Sequence, residues 1–522
     1  MKSYSRFAWG FRDFLKDPLS LDDAKAMLQQ GLRERETNFL NLVEHGIYGY
    51  PNSPYLSLLK LAHCELGDIQ NMVKNDGLEN TLGTLREAGV YVGFEEFKCR
   101  KPIERNGKTI SVKMRDFDNP LLSRHFEVRT SQSRGLGTPV LLDLDFLRRE
   151  AAAHALFLAT FDIQSHPMGV WRPLPPGIAG VLNVLCHAKL KKTVERWFFQ
   201  NKVTLRPGYL KYLFFTTFIV YYSRLWLKTL PVPEHVPLNH ADRVARWLQT
   251  KREQGTPAWL DTNVSSGIRV CQAAKAHGLD INGTLFRFGG EPYTPAKARI
   301  VAETDSRAIC HYSTSEMGRI GLACAERQNL DEVHLLTHKL AVIQHDRLVE
   351  GGGPSVGTLF FTTLLPGCPK IMLNVETDDY GVLVERNCGC PLKEFGFHQH
   401  LHTIRSFDKL TSEGMQFPAS DLLSLVEEIL PDHFGGHPTD YQFVEDQIDG
   451  LPKVSILISP NVGQVNASEV VDIVIKHLGA HKGGYEMMAD CWRQGHTLQV
   501  VRSEPHHTFT GKILPLHISK KK

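Results

Sequence analysis

Hydrophobic and polar positions follow two rhythms along the chain, and the rhythm changes near residue 121. In 21–48, LDDAKAMLQQGLRERETNFLNLVEHGIY, apolar residues recur at helical spacing behind Asp22 and Asp23, which suit a helix start. A second helical set covers 53–92 and is broken at Gly67 and Gly77. Beyond 121, short strand-like pieces (FEVRTS, TPVLLDL, TLFRFGG, RAICHYS) alternate with longer helical ones such as DFLRREAAAHALFLATFD, and this predicts an α/β core. Residues 357–400 read as successive strands. The last stretch has its own small α+β rhythm: helix DLLSLVEEIL, strands YQFVED and KVSILISP, helix SEVVDIVIKHLG, strand TLQVVRSE. No internal repeat interrupts this. The pattern predicts a helical part over 1–120, an α/β core over 121–405 and a small α+β domain over 406–522. The longest apolar run, LFFTTFIVYY at 213–222, lies between Lys211 and Arg224, is too short to span a bilayer, and reads as a buried helix.

Composition narrows the class. The 522 residues exceed one compact core, and 42% hydrophobic with 22% charged residues is ordinary for a globular protein. A net charge of +3 without a basic stripe argues against a nucleic-acid partner. The first residues, MKSYSRFAWGFRDF, lack the apolar core of a signal peptide, and ten cysteines do not make a disulfide framework, so a reducing cytoplasm is expected.

The candidate chemistry begins with TSQSRGLGTP at 130–139. It matches neither GxGxxG nor GxxxxGK[ST], yet Gly135 and Gly137 allow close backbone approach to an anion. Thr130, Ser131, Ser133 and Thr138 add hydroxyls. Taken alone, it is equally a glycine- and serine-rich hairpin turn. Four further segments change its weight: RFGGEPYTPAKARI (287–300) with HYSTSEMGRIG (311–321), KIMLNVETDDYGVLVE (370–385), LHTIRSFDKLTSEGMQF (401–417) and HHTFTGKILPLH (506–517). Their types and order resemble the adenylate-forming enzyme superfamily, most closely its phenylacetate–coenzyme A ligase-like branch. The N-terminal pieces SPY, GLE and GVYVGFEEFK look like that branch as well.

The resemblance implies a large multi-sheet α/β body with a small mobile C-terminal domain. It implies ATP-dependent conversion of a carboxylic acid to acyl-AMP, with release of pyrophosphate. Transfer to a thiol follows, either coenzyme A or the phosphopantetheine arm of a carrier protein. Transfer to an amine, or a degenerate nucleotide-binding scaffold, are the alternatives. By the same resemblance, Thr130, Ser131, Ser133, Gly135, Gly137 and Thr138 cradle the pyrophosphate. Gly289, Gly290 and Glu291 border the adenine, Tyr312 stacks on it, and Ser315 bonds the α-phosphate. Glu316 reaches Mg²⁺, and Asp378 holds the ribose diol, with Asp379 next to it as the other candidate. Arg405 contacts ribose or phosphate, Asp408 marks the hinge, and Lys512 stabilises charge on the α-phosphate and carboxylate. The chain departs from the family pattern at Gln132 and Arg134 in the loop, Ser313 after the tyrosine, and Ile404 before Arg405.

One constellation concerns a metal. Cys324 and His334 lie on one segment, and Cys388 and Cys390 form a CGC further on; together they can make a structural Cys₃His zinc site, as in some relatives of that branch. His398, His400 and His402, at strand spacing, are a rival cluster, and an exposed polar strand face is their plainer reading.

Overall fold

The chain is described by a computed structural model over residues 2–122, 125–129, 139–175, 177–201, 207–225, 230–348, 355–406, 409–412, 415–418, 422, 424–480, 484–506, 513 and 516–518. The helical beginning is present: α1 (Lys2–Lys16), α2 (Leu21–Arg33), α3 (Arg35–Leu42), α4 (Pro54–Leu61), α5 (Leu66–Asp76), α6 (Leu78–Glu87) and α7 (Phe94–Phe97). The start of α2 follows from Ser20, whose hydroxyl accepts from the Asp23 amide at 3.0 Å. A small hairpin closes this part, β1 (Ile103–Arg105) with β2 (Lys108–Ile110). A second hairpin, β3 (His125–Arg129) with β4 (Pro139–Asp143), leads into α8 (Leu144–Thr160).

Two sheets form the body. One contains β5 (Met168–Trp171), β6 (Val194–Phe199), β7 (Glu234–His235), β8 (Trp259–Asn263), β9 (Leu285–Gly289) and β10 (Arg307–Cys310). All its pairs are parallel, in the order β10-β9-β8-β5-β6-β7. Every residue of β5, β8 and β9 is buried, as expected for parallel strands covered on both faces. The covering helices are α8 and α9 (Ala179–Lys189) on one side, and α11 (Ala241–Glu253), α12 (Val264–Ala276) and α13 (Pro295–Ala302) on the other.

The second sheet is antiparallel. It contains β11 (Tyr312–Thr314), β12 (Gly318–Ala323), β13 (Val333–Leu335), β14 (Leu340–Leu348), β15 (Ser355–Thr363), β16 (Val375–Glu385) and β17 (Gln399–Ser406), in the order β11-β12-β13-β17-β16-β15-β14. The N-terminal helices pack on it: Tyr55 donates to the Ile371 carbonyl at 3.1 Å, and Asn374 donates to the Leu82 carbonyl at 2.8 Å. Helix α8 contacts both sheets, because Glu150 and His154 reach across it to β12 and β9.

After β17 come a hairpin of β18 (Lys409–Ser412) and β19 (Met415–Pro418), then a four-stranded sheet. That sheet holds β20 (Tyr441–Ile448), β21 (Leu451–Ile458), β22 (Leu498–Arg502) and β23 (Leu516–Ile518) in the order β22-β21-β20-β23. Helices Ala467–Ala480 and Gly484–Gly495 cover it. The second of these was not legible, since its HKGGYEMM start reads as a breaker. This C-terminal part rests on α12: Gln272 donates to the Asp449 carbonyl at 2.7 Å, and Arg269 to the Gly495 carbonyl at 3.0 Å.

The reading of 213–222 needs one correction. The helix exists, as α10 (Pro207–Ser223), but it is not buried all round. Tyr222 stacks on Phe11 of α1 and the Phe218 ring lies tilted against it, while Phe214 is 68% and Tyr221 56% exposed.

Candidate functional site

Four of the chemistry-bearing segments meet at one place. Strand β9 ends in Gly289, and Gly290 turns the chain with φ +83°. The ring of His311 lies against Gly289, where a Cβ would stand 2.6 Å from His311 Cε1, so only glycine fits. The next residue, Tyr312, opens β11, and its hydroxyl donates to Asp379 Oδ2 at 2.7 Å. Ser406 donates to the other oxygen of Asp379 at 2.6 Å, and Asp379 and Ser406 are register partners on β16 and β17. Arg405 sits opposite Tyr380 in the same register and pairs with Asp331 at 2.8 Å. Asp331 also accepts from the amides of Thr403 and Ile404, at 2.9 and 3.1 Å, and so fixes the end of β17. Burial and the adjacent Asp379 carboxylate push the Tyr312 hydroxyl well above its ordinary pKa, so it stays a donor.

Glu291 has a structural task. Its carboxylate accepts from the Ser265 amide and the Ser265 hydroxyl, both at 2.8 Å, in the first turn of α12. The N-cap residue, Asn263, makes no side-chain cap bond; its side-chain oxygen Oδ1 accepts from Arg172 Nη1 at 2.7 Å instead. Glu291 therefore caps α12 from outside and ties the glycine turn to that helix.

Ser315, Glu316 and Met317 form the turn between β11 and β12. It closes on Gly318 (φ +70°), where a Cβ would lie 2.6 Å from the Phe146 ring and 2.8 Å from Glu150. Glu316 is buried and ion-paired to Lys98 Nζ at 2.8 Å. Burial pushes this carboxyl up, but the Lys98 ammonium outweighs it and holds the group below the usual glutamate value. Lys98, just beyond α7, ends the GVYVGFEEFK piece, but sequence reasoning gave it no role; its pairing with Glu316 is not readable from that piece.

Loop residues 130–138, with Thr130, Ser131, Ser133, Gly135, Gly137 and Thr138, lie outside the described residues, and so do Asp408 and Lys512. The strands flanking the loop pair up to Arg129 opposite Pro139. Asp378 lies on β16, but its side chain is also outside the described set; the carboxylate at Tyr312 is that of Asp379.

No protein-family model matches the chain, and no curated protein matches it in sequence. Among solved structures, 2-hydroxyisobutyryl-CoA ligase in complex with 2-HIB-AMP and CoA, in the thioesterification state, aligns with a TM-score of 0.55. Identity is 16%, covering 97% of this chain and 91% of that one. The fold is that of this ligase. A fatty acid AMP ligase from Legionella pneumophila aligns at 12% identity over 93% and 88% of the two chains, with a TM-score of 0.35. The GH3.15 acyl acid amido synthetase aligns at 11% over 85% and 84%, with a TM-score of 0.32. At those two scores the likeness carries no argument. No helix among the described residues is long and apolar enough to cross a membrane.

On this ligase fold the cysteine segments also meet. Ligand atoms of Cys324, His334 and Cys388 lie within 4.8 Å of one another, all buried. Cys390 joins them: its sulfur accepts from the Ala325 amide at 3.3 Å, and a hydrogen bond from Cys324 holds its thiol below the ordinary cysteine value. His334 Nδ1 lies 2.7 Å from the Phe397 carbonyl. A carbonyl only accepts, so Nδ1 carries the proton and Nε2 turns a lone pair toward Cys388 Sγ, 3.6 Å away. That is the tautomer a metal-bound histidine needs, and three sulfurs with one nitrogen fit zinc. The rival histidine set does not converge as a set of three. Instead His400 alone joins the cysteines, 3.8 Å from Cys388 Sγ and 2.8 Å from Glu332, which also pairs with Arg386. Its burial against β13, rather than its spacing, takes it off the polar face expected of it.

Proposed function

We propose that this chain is an AMP-forming acid ligase of the phenylacetate–coenzyme A ligase-like kind. It joins a carboxylic acid to ATP as acyl-AMP with loss of pyrophosphate, then passes the acyl group to a thiol. The observation that carries the reading is the convergence of GGEP, HYSTSE, TDD and IRSF, far apart in sequence, around the Tyr312–Asp379–Ser406 bonds on a fold shared with a CoA ligase.

In this reading the substrate carboxylate attacks the α-phosphorus, and the bond to the pyrophosphate oxygen breaks. Tyr312 offers a ring to adenine, and the Gly289–Gly290 turn brings backbone close to the base. Asp378 would take the ribose diol, as the resemblance implies, next to Asp379, whose two oxygens accept from Tyr312 and Ser406. Arg405, steadied by Asp331, faces ribose or phosphate. Glu316 is the residue that would hold Mg²⁺. A single buried carboxylate fits an ion that takes its other ligands from phosphates and water, and Lys98 adds a second cation beside it. Mg²⁺ there would neutralise charge on the phosphate oxygens. The resemblance assigns Lys512 to the charge developing on the α-phosphate and carboxylate, and loop 130–138 to the leaving pyrophosphate. In a mobile C-terminal domain, as that resemblance also implies, removal of Lys512 after the first step would make room for the thiol of coenzyme A or a carrier arm.

Cys324, His334, Cys388 and Cys390 would hold a zinc ion of structural role, with His400 and Glu332 around it. The test of the whole reading is ATP–pyrophosphate exchange against a panel of aryl, fatty and amino acids. Some acid should support exchange, and Lys512→Ala should lower it by a factor of at least about a hundred. ATP binding without exchange on a broad panel would leave the scaffold reading standing.

A further inference from the structure

The interior between α8, α9 and the two sheets holds a continuous polar network. Asp261 on β8 accepts from Arg172 Nε at 2.6 Å, Arg287 Nε at 2.9 Å and Asn183 at 2.7 Å. Asn183 in turn accepts from Arg319 Nη2 at 2.6 Å; Arg319 pairs with Glu150 at 3.0 Å, and Glu150 also pairs with Lys339. All of these side chains are buried. Among the described residues of this network, four cations (Arg172, Arg287, Arg319, Lys339) therefore face two carboxylates (Asp261, Glu150). Burial, with the Arg287 charge next, keeps His154 and His311 neutral, so neither ring alters that balance. An excess of buried positive charge is costly unless an anion or acceptor completes it.

The open end of the network is specific. Arg172 spends its guanidinium on Asp261, Asn263 and the Thr262 carbonyl. Arg287 bonds Asp261 and His154, the latter at 3.1 Å, and lies over Phe157 and Trp259, but its Nη2 has no hydrogen-bond partner among the described residues at 2% exposure. Arg287 and Gly289 alternate onto the same face of β9, and the His311 ring fills the place of the side chain Gly289 lacks. His311 Nδ1 is likewise buried without a partner among the described residues. These two polar groups thus belong to the same face at the end of β9, His311 one residue before Tyr312 and Arg287 two before Gly289. This is the inner side of the proposed nucleotide turn.

We propose that Arg287, with His311 beside it, anchors a second acceptor oxygen on the acid substrate, so that the enzyme selects oxygen-bearing acids, dicarboxylic acids foremost, over plain hydrocarbon ones. This rests on the acid-ligase reading above. Arg287 is then a specificity-determining residue: its second amino group is completed only when the bound acid carries an oxygen there, and a plain acid leaves it stranded.

The experiment compares acids of matched skeleton in pyrophosphate exchange: malonate with propionate, succinate with butyrate, glutarate with valerate, terephthalate with toluate. The oxygen-bearing member of at least one pair should be preferred by about tenfold or more in kcat/KM. That ratio should fall to near one in Arg287→Met and recover in part in Arg287→Lys. If Arg287→Met does not fold by circular dichroism, His311→Phe is measured in its place and should also reduce the ratio. In parallel, the dicarboxylates are tested without ATP for a rise in melting temperature of the wild-type protein that Arg287→Met or His311→Phe abolishes. Plain acids used as well as their partners in every pair, or a preference that survives these substitutions, overturns the anchor. Absence of exchange with an Arg287-dependent thermal shift overturns adenylation but keeps the anchor; absence of both overturns both.

Discussion

The Lys98–Glu316 pair allows the sharpest quantitative test. The two charges stand 2.8 Å apart, at 6% and 9% side-chain exposure. At an effective dielectric of about 20 their gross attraction is roughly 6 kcal/mol. Desolvation of both ions offsets most of that, so replacing the pair together costs little, whereas removing one partner strands a buried charge at about 3–5 kcal/mol. Lys98→Met keeps the length of the side chain and deletes the ammonium. It should melt well below both wild type and Lys98→Met/Glu316→Gln, with a coupling of at least about 2 kcal/mol in the double-mutant cycle. The pH dependence has a definite sign. Lys98 holds the Glu316 carboxyl below its ordinary value, so the stabilisation is present above the unfolded glutamate value of about 4.3 and is lost as pH falls through the lower folded value. In Lys98→Met burial acts without that opposing ammonium and the carboxyl rises, so acidification from neutral pH relieves the variant by protonation. The gap to wild type is therefore widest near pH 7 and narrows toward about pH 5. Melting at fixed scan rate, at both pH values, measures it. A Lys98→Met protein melting within a degree of wild type at neutral pH would refute the argument.

Tyr312→Phe removes a hydrogen bond to a carboxylate, a loss of about 1.5–3 kcal/mol, and should raise the KM for ATP more than that for the acid. Asp378→Asn should weaken ATP more than Asp379→Asn in initial-rate kinetics; the reverse order would assign the ribose to Asp379. Protein purified without chelator should hold about one zinc per chain by elemental analysis, and Cys390→Ser should lose it and melt lower. A metal-free wild-type protein would sink the zinc reading.

The sequence made the site's membership legible better than its wiring. GGEP, HYSTSE, TDD and IRSF were recognisable because each has an unusual residue set, and their order along the chain supported the shared site. Which aspartate of the TDD run meets Tyr312 depends on strand register between β16 and β17, which spacing does not fix. Glu291 looked like part of a ligand strip because its partner, the first turn of α12, lies twenty-odd residues upstream. Lys98 lay in the recognisable GVYVGFEEFK piece but without a role, and Asp331 carried no signal, since a single charged residue in a mixed segment becomes special only through the strand or turn it folds against. His400 was hidden for the opposite reason: the regular spacing of three histidines suggested a shared face, while burial separated one of them. The α10 helix shows the limit of hydropathy alone, because a run apolar on all sides leaves open how much of it a neighbour covers.

The capping of α12 by Glu291 has a consequence for where phosphate binds. The first amides of a helix point a partial positive charge outward, and many nucleotide-binding folds place phosphate against that end. Here the chain's own carboxylate already sits there, bonded to the Ser265 amide and hydroxyl. A triphosphate approaching the start of α12 would meet an anion rather than an open amide. In the proposed reading a polyphosphate tail would be turned away from that helix and held by groups on other segments, and the glycine turn would face the base and sugar end of the nucleotide.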